Sequence, residues 1–99
     1  MALTITSTIM TAEGFEVTNA YGRVAVVDSF AGEALEEYAH LYASEAAFLA
    51  GAQPMNVAFT TKLTSPYDRT MESTDILDLA HDHLITAMAA EGVTAVKNL

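Results

Sequence analysis

The sequence predicts an α+β fold: a small antiparallel β-sheet of about four strands with a C-terminal helix packed on one face. In the N-terminal segment Leu3, Ile5 and Ile9 alternate with threonines, and β-branched residues at period two are typical of a half-buried strand. A helical pattern with an apolar stripe lies near the C-terminus. Hydrophobic residues make up 52% of the 99 residues, enough for one core, so we expect a single domain over residues 1–99.

The predicted strands are bounded by turn residues and lie near residues 3–10, 17–27, 34–43 and 55–63. Gly14 permits the positive φ of a chain reversal, so a hairpin is the simplest connection between the first two strands. Gly22, inside the second strand, suggests a bulge or a close backbone approach. The next turn is predicted at Asp28, Ser29 and Gly32. One face of the fourth strand would carry Met55, Val57, Phe59 and Thr61.

The segment from Glu33 to Pro54 has two interpretations. As a helix, it has high intrinsic propensity and apolar residues at spacings of three and four. As a strand to about Ala43, it places Glu37 on the same face as Leu35, Ala39 and Leu41, with Tyr38, His40 and Tyr42 on the other face. Ser44 would then cap a single helical turn closed by Gly51. The local pattern leaves both interpretations open.

The C-terminal helix is predicted near residues 74–91. Ser73 or Thr74 is the expected N-cap, and Gly92 the expected stop. Its apolar face would consist of Ile76, Leu77, Ala80, Leu84, Ala87 and Met88, and its opposite face would carry Asp75, Asp78 and Asp82. The stripe needs a surface to cover, and the strands supply it. The tail after Gly92 is either a short final strand or an arm that binds a partner.

Charge and composition exclude several functions. Thirteen acidic and four basic residues give a net charge of -9, which disfavours direct binding to nucleic acid or anionic membranes. The absence of cysteine excludes disulfides and thiol chemistry. No segment approaches the length of a membrane span, and the N-terminus lacks the pattern of a signal peptide. We expect a protein made in the cytoplasm that stays there or leaves within a larger particle, with no cofactor.

The cluster of Asp78, His81, Asp82 and His83 contains metal-ligand residue types, but its spacing argues against a metal site. Ligands on one helix face are separated by three or four positions, whereas His81 and His83 are two apart. Asp78 with His81 or Asp82 supplies only two ligands. The cluster is interpreted as a solvated polar face, and no metal ligand or catalytic residue is assigned.

The residues that the sequence predicts to contact another protein are mostly aromatic or basic. On a strand, Tyr38, His40 and Tyr42 share a face, which predicts an aromatic patch suited to packing or to a neighbouring subunit. Arg23 lies in a strand-like run and is expected to pair with a carboxylate of its own chain or of a neighbour in an assembly. The candidate interface therefore consists of Tyr21, Arg23, Tyr38, His40, Tyr42 and Phe48.

Short motifs in the first 60 residues resemble a set of small structural proteins of tailed bacteriophages. The shared layout is "MALTI", a threonine-rich stretch with Gly14, "VTNAYGRV", and "YASEAAFLAG" followed by Pro54 and an aromatic strand. In that set the "NAY" and "YAS" segments are strands and the chain closes with a helix. The resemblance favours a strand ending near Ala43 over a long helix. The C-terminal "LAHDHLITAMAAEGVTAVKNL" departs from this layout, so the resemblance implies no partner surface there.

The resemblance implies a non-enzymatic virion protein that belongs to the tail, baseplate or fibre-attachment region, or that decorates the capsid. Its partners would be other phage structural proteins and copies of itself in a symmetric assembly. A soluble acidic regulator that binds a basic host or phage protein is the alternative, and Asp75, Asp78 and Asp82 give it partial support. No phosphate-binding loop, nucleophile elbow or zinc-protease motif appears in the sequence.

Overall fold

The computed structural model describes residues 2–29, 34–66 and 76–98. Within these ranges the strands are β1 (Ala2–Ile5), β2 (Ile9–Met10), β3 (Glu16–Val17), β4 (Ala20–Ser29), β5 (Ala34–Tyr42), β6 (Lys62–Pro66) and β7 (Ala95–Asn98). The helices are α1 (Glu45–Leu49) and α2 (Ile76–Ala90). The described helices include none long and apolar enough to span a membrane.

Five of the strands form one antiparallel sheet in the order β6-β5-β4-β1-β7. Helix α2 packs on one face of this sheet, so the predicted α+β class is confirmed. The sheet has one strand more than the four predicted: β7, which pairs with β1. The C-terminal tail is therefore a short final strand, one of the two predicted alternatives. The N-terminal strand therefore lies between β4 and β7 in the interior of the sheet.

The predicted first hairpin is present, but each of its strands is interrupted. Residues 6–8 separate β1 from β2, and there Thr6 donates its backbone N–H to the Thr94 carbonyl at 2.8 Å. Asn19, with φ +56°, separates β3 from β4. The small β2–β3 hairpin turns at Gly14, which has the expected positive φ of +92°. The predicted continuous strands over 3–10 and 17–27 are therefore wrong at these two points.

The segment after residue 33 is a strand followed by one short helix, as the second interpretation predicted. Every second residue of β5 faces α2, and this places Leu35, Ala39 and Leu41 in the core. The Ser44 side chain accepts a hydrogen bond from the Ala47 N–H at 3.0 Å and caps α1. Gly51, with φ +84°, closes α1, as the pattern predicted. Burial of alternate residues has overridden the helix propensity of this stretch.

The predicted fourth strand is displaced along the chain. Residues 55–61 are joined to β5 by bonds from the Met55 N–H to the Leu41 carbonyl and from the Ala39 N–H to the Thr61 carbonyl, and to the β2–β3 hairpin by a bridge between Thr11 and Val57. Met55, Val57 and Phe59 nevertheless pack against the core on one side of the chain. The regular strand is β6, whose polar residues resemble a loop. The turn expected at Asp28 and Ser29 is also wrong, because both residues belong to β4; Gly32 lies outside the described residues.

Helix α2 covers the sheet with a stripe that contains three of the predicted apolar residues and one histidine that was not predicted there. Its buried residues are Ala80, His81, Leu84 and Met88, whereas Leu77 is 42% exposed. Gly92, with φ +79°, ends α2 through hydrogen bonds from its own N–H to the Ala89 carbonyl and from the Val93 N–H to the Met88 carbonyl. The expected N-cap, Ser73 or Thr74, and Asp75 lie outside the described residues.

The five-stranded sheet thus has two different faces. The inner face is the one that contacts α2, and Leu3, Ile5 and Leu41 lie on it fully buried. Gly22 also lies on the inner face, where a Cβ atom would be 3.1 Å from Leu41 Cδ2 and 3.2 Å from Leu3 Cβ. This is the close approach that the sequence suggested. The outer face is the opposite side of the same strands.

Candidate interaction surface

The outer face brings the predicted interface residues of β4 and β5 together by strand register. Tyr21 pairs with Tyr42, Arg23 with His40, and Ala25 with Tyr38. Lys62 of β6 continues the row beside Tyr38. Paired residues project to the same side of a sheet, so these side chains form one continuous surface. Its central members, Arg23 and His40, are exposed.

At one end of the outer face α1 covers two of the tyrosines. The Phe48 ring centroid lies 5.7 Å from that of Tyr21 and 5.0 Å from that of Tyr42, and both tyrosines are buried beside Ala2. Tilted rings at these distances interact favourably beyond the area they bury. Tyr21, Tyr42 and Phe48 therefore form a small second core at this end of the outer face.

Arg23 is held in place by this second core. Its Nη1 donates to the Tyr21 hydroxyl at 3.2 Å, and its guanidinium carbon lies 5.2 Å from the Phe48 ring centroid. A guanidinium over an aromatic face is attracted by the electron-rich ring. The prediction that Arg23 pairs with a carboxylate of its own chain finds no counterpart among the described contacts. Among the described residues, its charge is positioned by neutral groups.

The other half of the outer face centres on Tyr38. The Tyr38 hydroxyl donates to Glu36 Oε2 at 2.7 Å, and the Lys62 ammonium lies 5.3 Å from the Tyr38 ring centroid. Two of the four basic residues of the chain, Arg23 and Lys62, thus lie on the outer face. Among the described side chains of the five strands, Glu36 is the one carboxylate on that face. The outer face is therefore locally basic in a chain of net charge -9.

The inner face contains a polar cluster that sequence reasoning did not find. Glu37 is only 1% exposed, and its carboxylate accepts hydrogen bonds from the Ser65 hydroxyl and from His83 Nδ1, the latter at 3.0 Å to Oε2. A buried carboxylate requires such donors. The sequence placed a charge on the apolar face of β5, but no spacing indicated that its partners come from β6 and α2. Because the Ser65 hydroxyl and His83 Nδ1 both bind Glu37, the cluster stabilises this carboxylate between sheet and helix.

The helix cluster that was interpreted as a solvated polar face divides into three environments. His81 is fully buried, its Nδ1 bonded to the Leu77 carbonyl at 2.6 Å, so for His81 that interpretation is wrong. His83 contacts Glu37. Asp78 and Asp82 contact the Lys97 ammonium at 2.6 and 2.8 Å. The hydrogen bond with Asp78, followed by the one with Asp82, raises the pKa of Lys97. In the described ranges no three acidic, histidine or cysteine residues are grouped as metal ligands.

Exposed apolar side chains also lie at and beside the turn of the β2–β3 hairpin. Phe15 is 70% exposed and Met10 is 57% exposed. Glu13 and Glu16, also exposed, flank Phe15. We call these four residues the hairpin tip. The sequence identified this stretch only as a turn, since two apolar residues separated by a glycine turn carry no signal of exposure.

Comparison with known proteins gives no significant match to a protein-family model, to a curated protein sequence or to a solved structure.

Proposed function

We propose that this chain is a non-enzymatic structural protein of a tailed bacteriophage virion that acts through protein–protein contacts on the outer face of its sheet. The observation that carries the proposal is the outer face itself. It presents Arg23, His40, Tyr38 and Lys62 on one side of neighbouring strands of the five-stranded sheet, with the Lys62 ammonium over the Tyr38 ring. Arginine and tyrosine are enriched at the energetic centres of protein interfaces.

The arrangement of the outer face suits a contact surface. Arg23 is already held by Tyr21 and Phe48, so little side-chain freedom is lost when a partner binds. Tyr38 is likewise held by its bond to Glu36. Preorganised side chains of this kind contribute more to affinity than mobile ones of the same chemistry.

The virion assignment rests on the resemblance of the first 60 residues to small phage structural proteins. The charge balance is compatible with it, because an acidic surface avoids binding to packaged DNA. The candidate positions remain the tail, the baseplate, the fibre-attachment region and the capsid surface. The alternative, an acidic regulator, has less support, because Asp78 and Asp82 are both paired with Lys97 within the chain.

The test is mass spectrometry of purified virions of the phage that encodes this chain. Peptide counts are scaled to the major capsid protein, and a non-structural phage protein serves as the control for contamination. We expect the chain to be enriched over that control. Abundance near that of the capsid protein indicates decoration of the capsid, and a few copies per particle indicate a position in the tail or neck. A count no higher than the control would contradict the proposal.

A further inference from the structure

We infer that copies of this chain bind one another head to tail, with the hairpin tip of one copy seated on the outer face of the next. The inference rests on the proposed function and names its partner, a second copy of the chain. It is carried by two exposed features of opposite character on the same molecule. One is acidic with apolar side chains, and the other is basic with aromatic side chains.

The hairpin tip is a fixed feature of the fold. Thr11 donates its N–H to the Phe15 carbonyl at 2.8 Å, and its hydroxyl accepts from the Phe15 N–H at 3.1 Å. The Gly14 N–H bonds to the Thr11 carbonyl at 3.0 Å, and the Ala12 N–H bonds to the Asn56 carbonyl at 2.8 Å. These bonds hold Phe15 at the tip although its ring is largely exposed. An exposed aromatic side chain on a fixed backbone is suited to anchor an interface.

The charges of the two features are complementary. Glu13 and Glu16 give the hairpin tip a charge of -2, and Arg23 and Lys62 give the outer face two positive charges beside one carboxylate, that of Glu36. Contact between tip and face brings opposite charges together around apolar side chains, Phe15 and Met10 on one side and Tyr38 on the other. Contact between two identical outer faces would instead bring together four positive charges, from two copies each of Arg23 and Lys62, and only two carboxylates, from Glu36, which is less favourable.

A contact between two different surfaces determines the kind of assembly. A bound pair retains one free face on the first copy and one free tip on the second, so addition continues until a ring closes or a filament forms. A symmetric two-fold dimer, by contrast, would use the same surface twice and stop at two copies. Head-to-tail binding therefore predicts assemblies larger than a dimer, which suits a virion part repeated by symmetry.

The experiment is sedimentation velocity over a concentration series with charge-reversed variants of the full chain. The tip variant is Glu13→Lys with Glu16→Lys, and the face variant is Arg23→Glu with Lys62→Glu. We expect the unmodified chain to assemble beyond a dimer and each variant alone to associate at least about tenfold more weakly, because like charges then meet. Mixed in equal amounts, the two variants should assemble again, since every tip then meets a face of opposite charge.

Two controls separate this result from misfolding and from a general charge effect. Circular dichroism should show the same folded spectrum for each variant. Thr86→Lys with Ala89→Lys, at exposed positions of α2, adds positive charge away from both surfaces and should assemble like the unmodified chain. A monomeric unmodified chain, a dimer that goes no further, or failure of mixing to restore assembly would each overturn the inference. Presence in virions together with any of these results leaves the proposed function standing, whereas absence from virions defeats the proposed function itself.

Discussion

The inner and outer faces of the sheet are built from the same strands but differ in what covers them. On the inner face Leu3, Ile5 and Leu41 are fully buried beneath α2. On the outer face Arg23 and His40, paired across β4 and β5, are exposed. Alternation along the strands therefore gives one face the residues that stabilise the fold and leaves the other face available for binding. Three predictions test this division.

The largest expected effect belongs to the inner face. Leu84 of α2 is fully buried against the sheet, so Leu84→Ala removes buried methyl groups and leaves a cavity. We expect it to lower the free energy of unfolding by about 2–5 kcal/mol. His40→Ala, the matched change on the outer face, should alter it by no more than about 0.5 kcal/mol. Urea denaturation followed by circular dichroism measures both; equal losses for the two variants would refute the division between the faces.

An intermediate effect is expected where α1 covers the end of the outer face. Ser44→Ala removes the side chain that accepts from the Ala47 N–H, and we expect a loss of about 1 kcal/mol in the free energy of unfolding. Ser44→Asp keeps an acceptor at the N-cap and should retain the original stability. The same denaturation experiment applies. If both variants were destabilised equally, the cap would not be what holds α1 over Tyr21 and Tyr42.

The smallest effect concerns Lys97 at the exposed margin of the inner face. Asp78 and Asp82 raise its pKa above the usual 10.5, so its contribution to stability is fully present below pH 10.5 and is lost as the pH rises through the raised value. Unfolding in urea at a series of pH values from about 9 to about 12 should therefore show Lys97→Met and the unmodified chain converging as the pH rises. A constant difference across that range would contradict the assigned ion pairs.

The parts of the fold that could be predicted are those where the local pattern and burial agree. In α2, apolar residues at helical spacing and the stop at Gly92 gave its position. In β5, alternation and the Ser44 cap were compatible with a strand followed by a short helix, but the local pattern left a long helix equally open and only the resemblance favoured the strand that is observed. The boundaries of β6 could not be predicted, because Lys62, Thr64 and Ser65 are polar and their strand conformation is imposed by pairing with β5.

The candidate site was predicted in composition but not in arrangement. Tyr21, Arg23, Tyr42 and Phe48 do come together, yet the two tyrosines are buried beside Phe48, and Arg23 is the exposed member of the two predicted β4 residues. The Glu37–His83 contact joins residues 46 positions apart, and nothing local relates them. His81 was placed on the polar face because of its residue type, while the helical period that puts it beside Leu84 and Met88 was the better guide.

The pairing of β1 with β7 has a consequence for how the chain folds. Thr6 and Thr94, joined by a hydrogen bond just beyond this pair, are 88 positions apart, whereas β4 and β5 are neighbours in sequence. Closing a long loop costs more chain entropy than closing a short one, and non-local pairing slows folding. We expect the β4–β5 pair to form first and the far edge of the sheet to close last. During synthesis on the ribosome, the β1 backbone groups that pair with β7 would therefore stay unpaired until the final residues emerge.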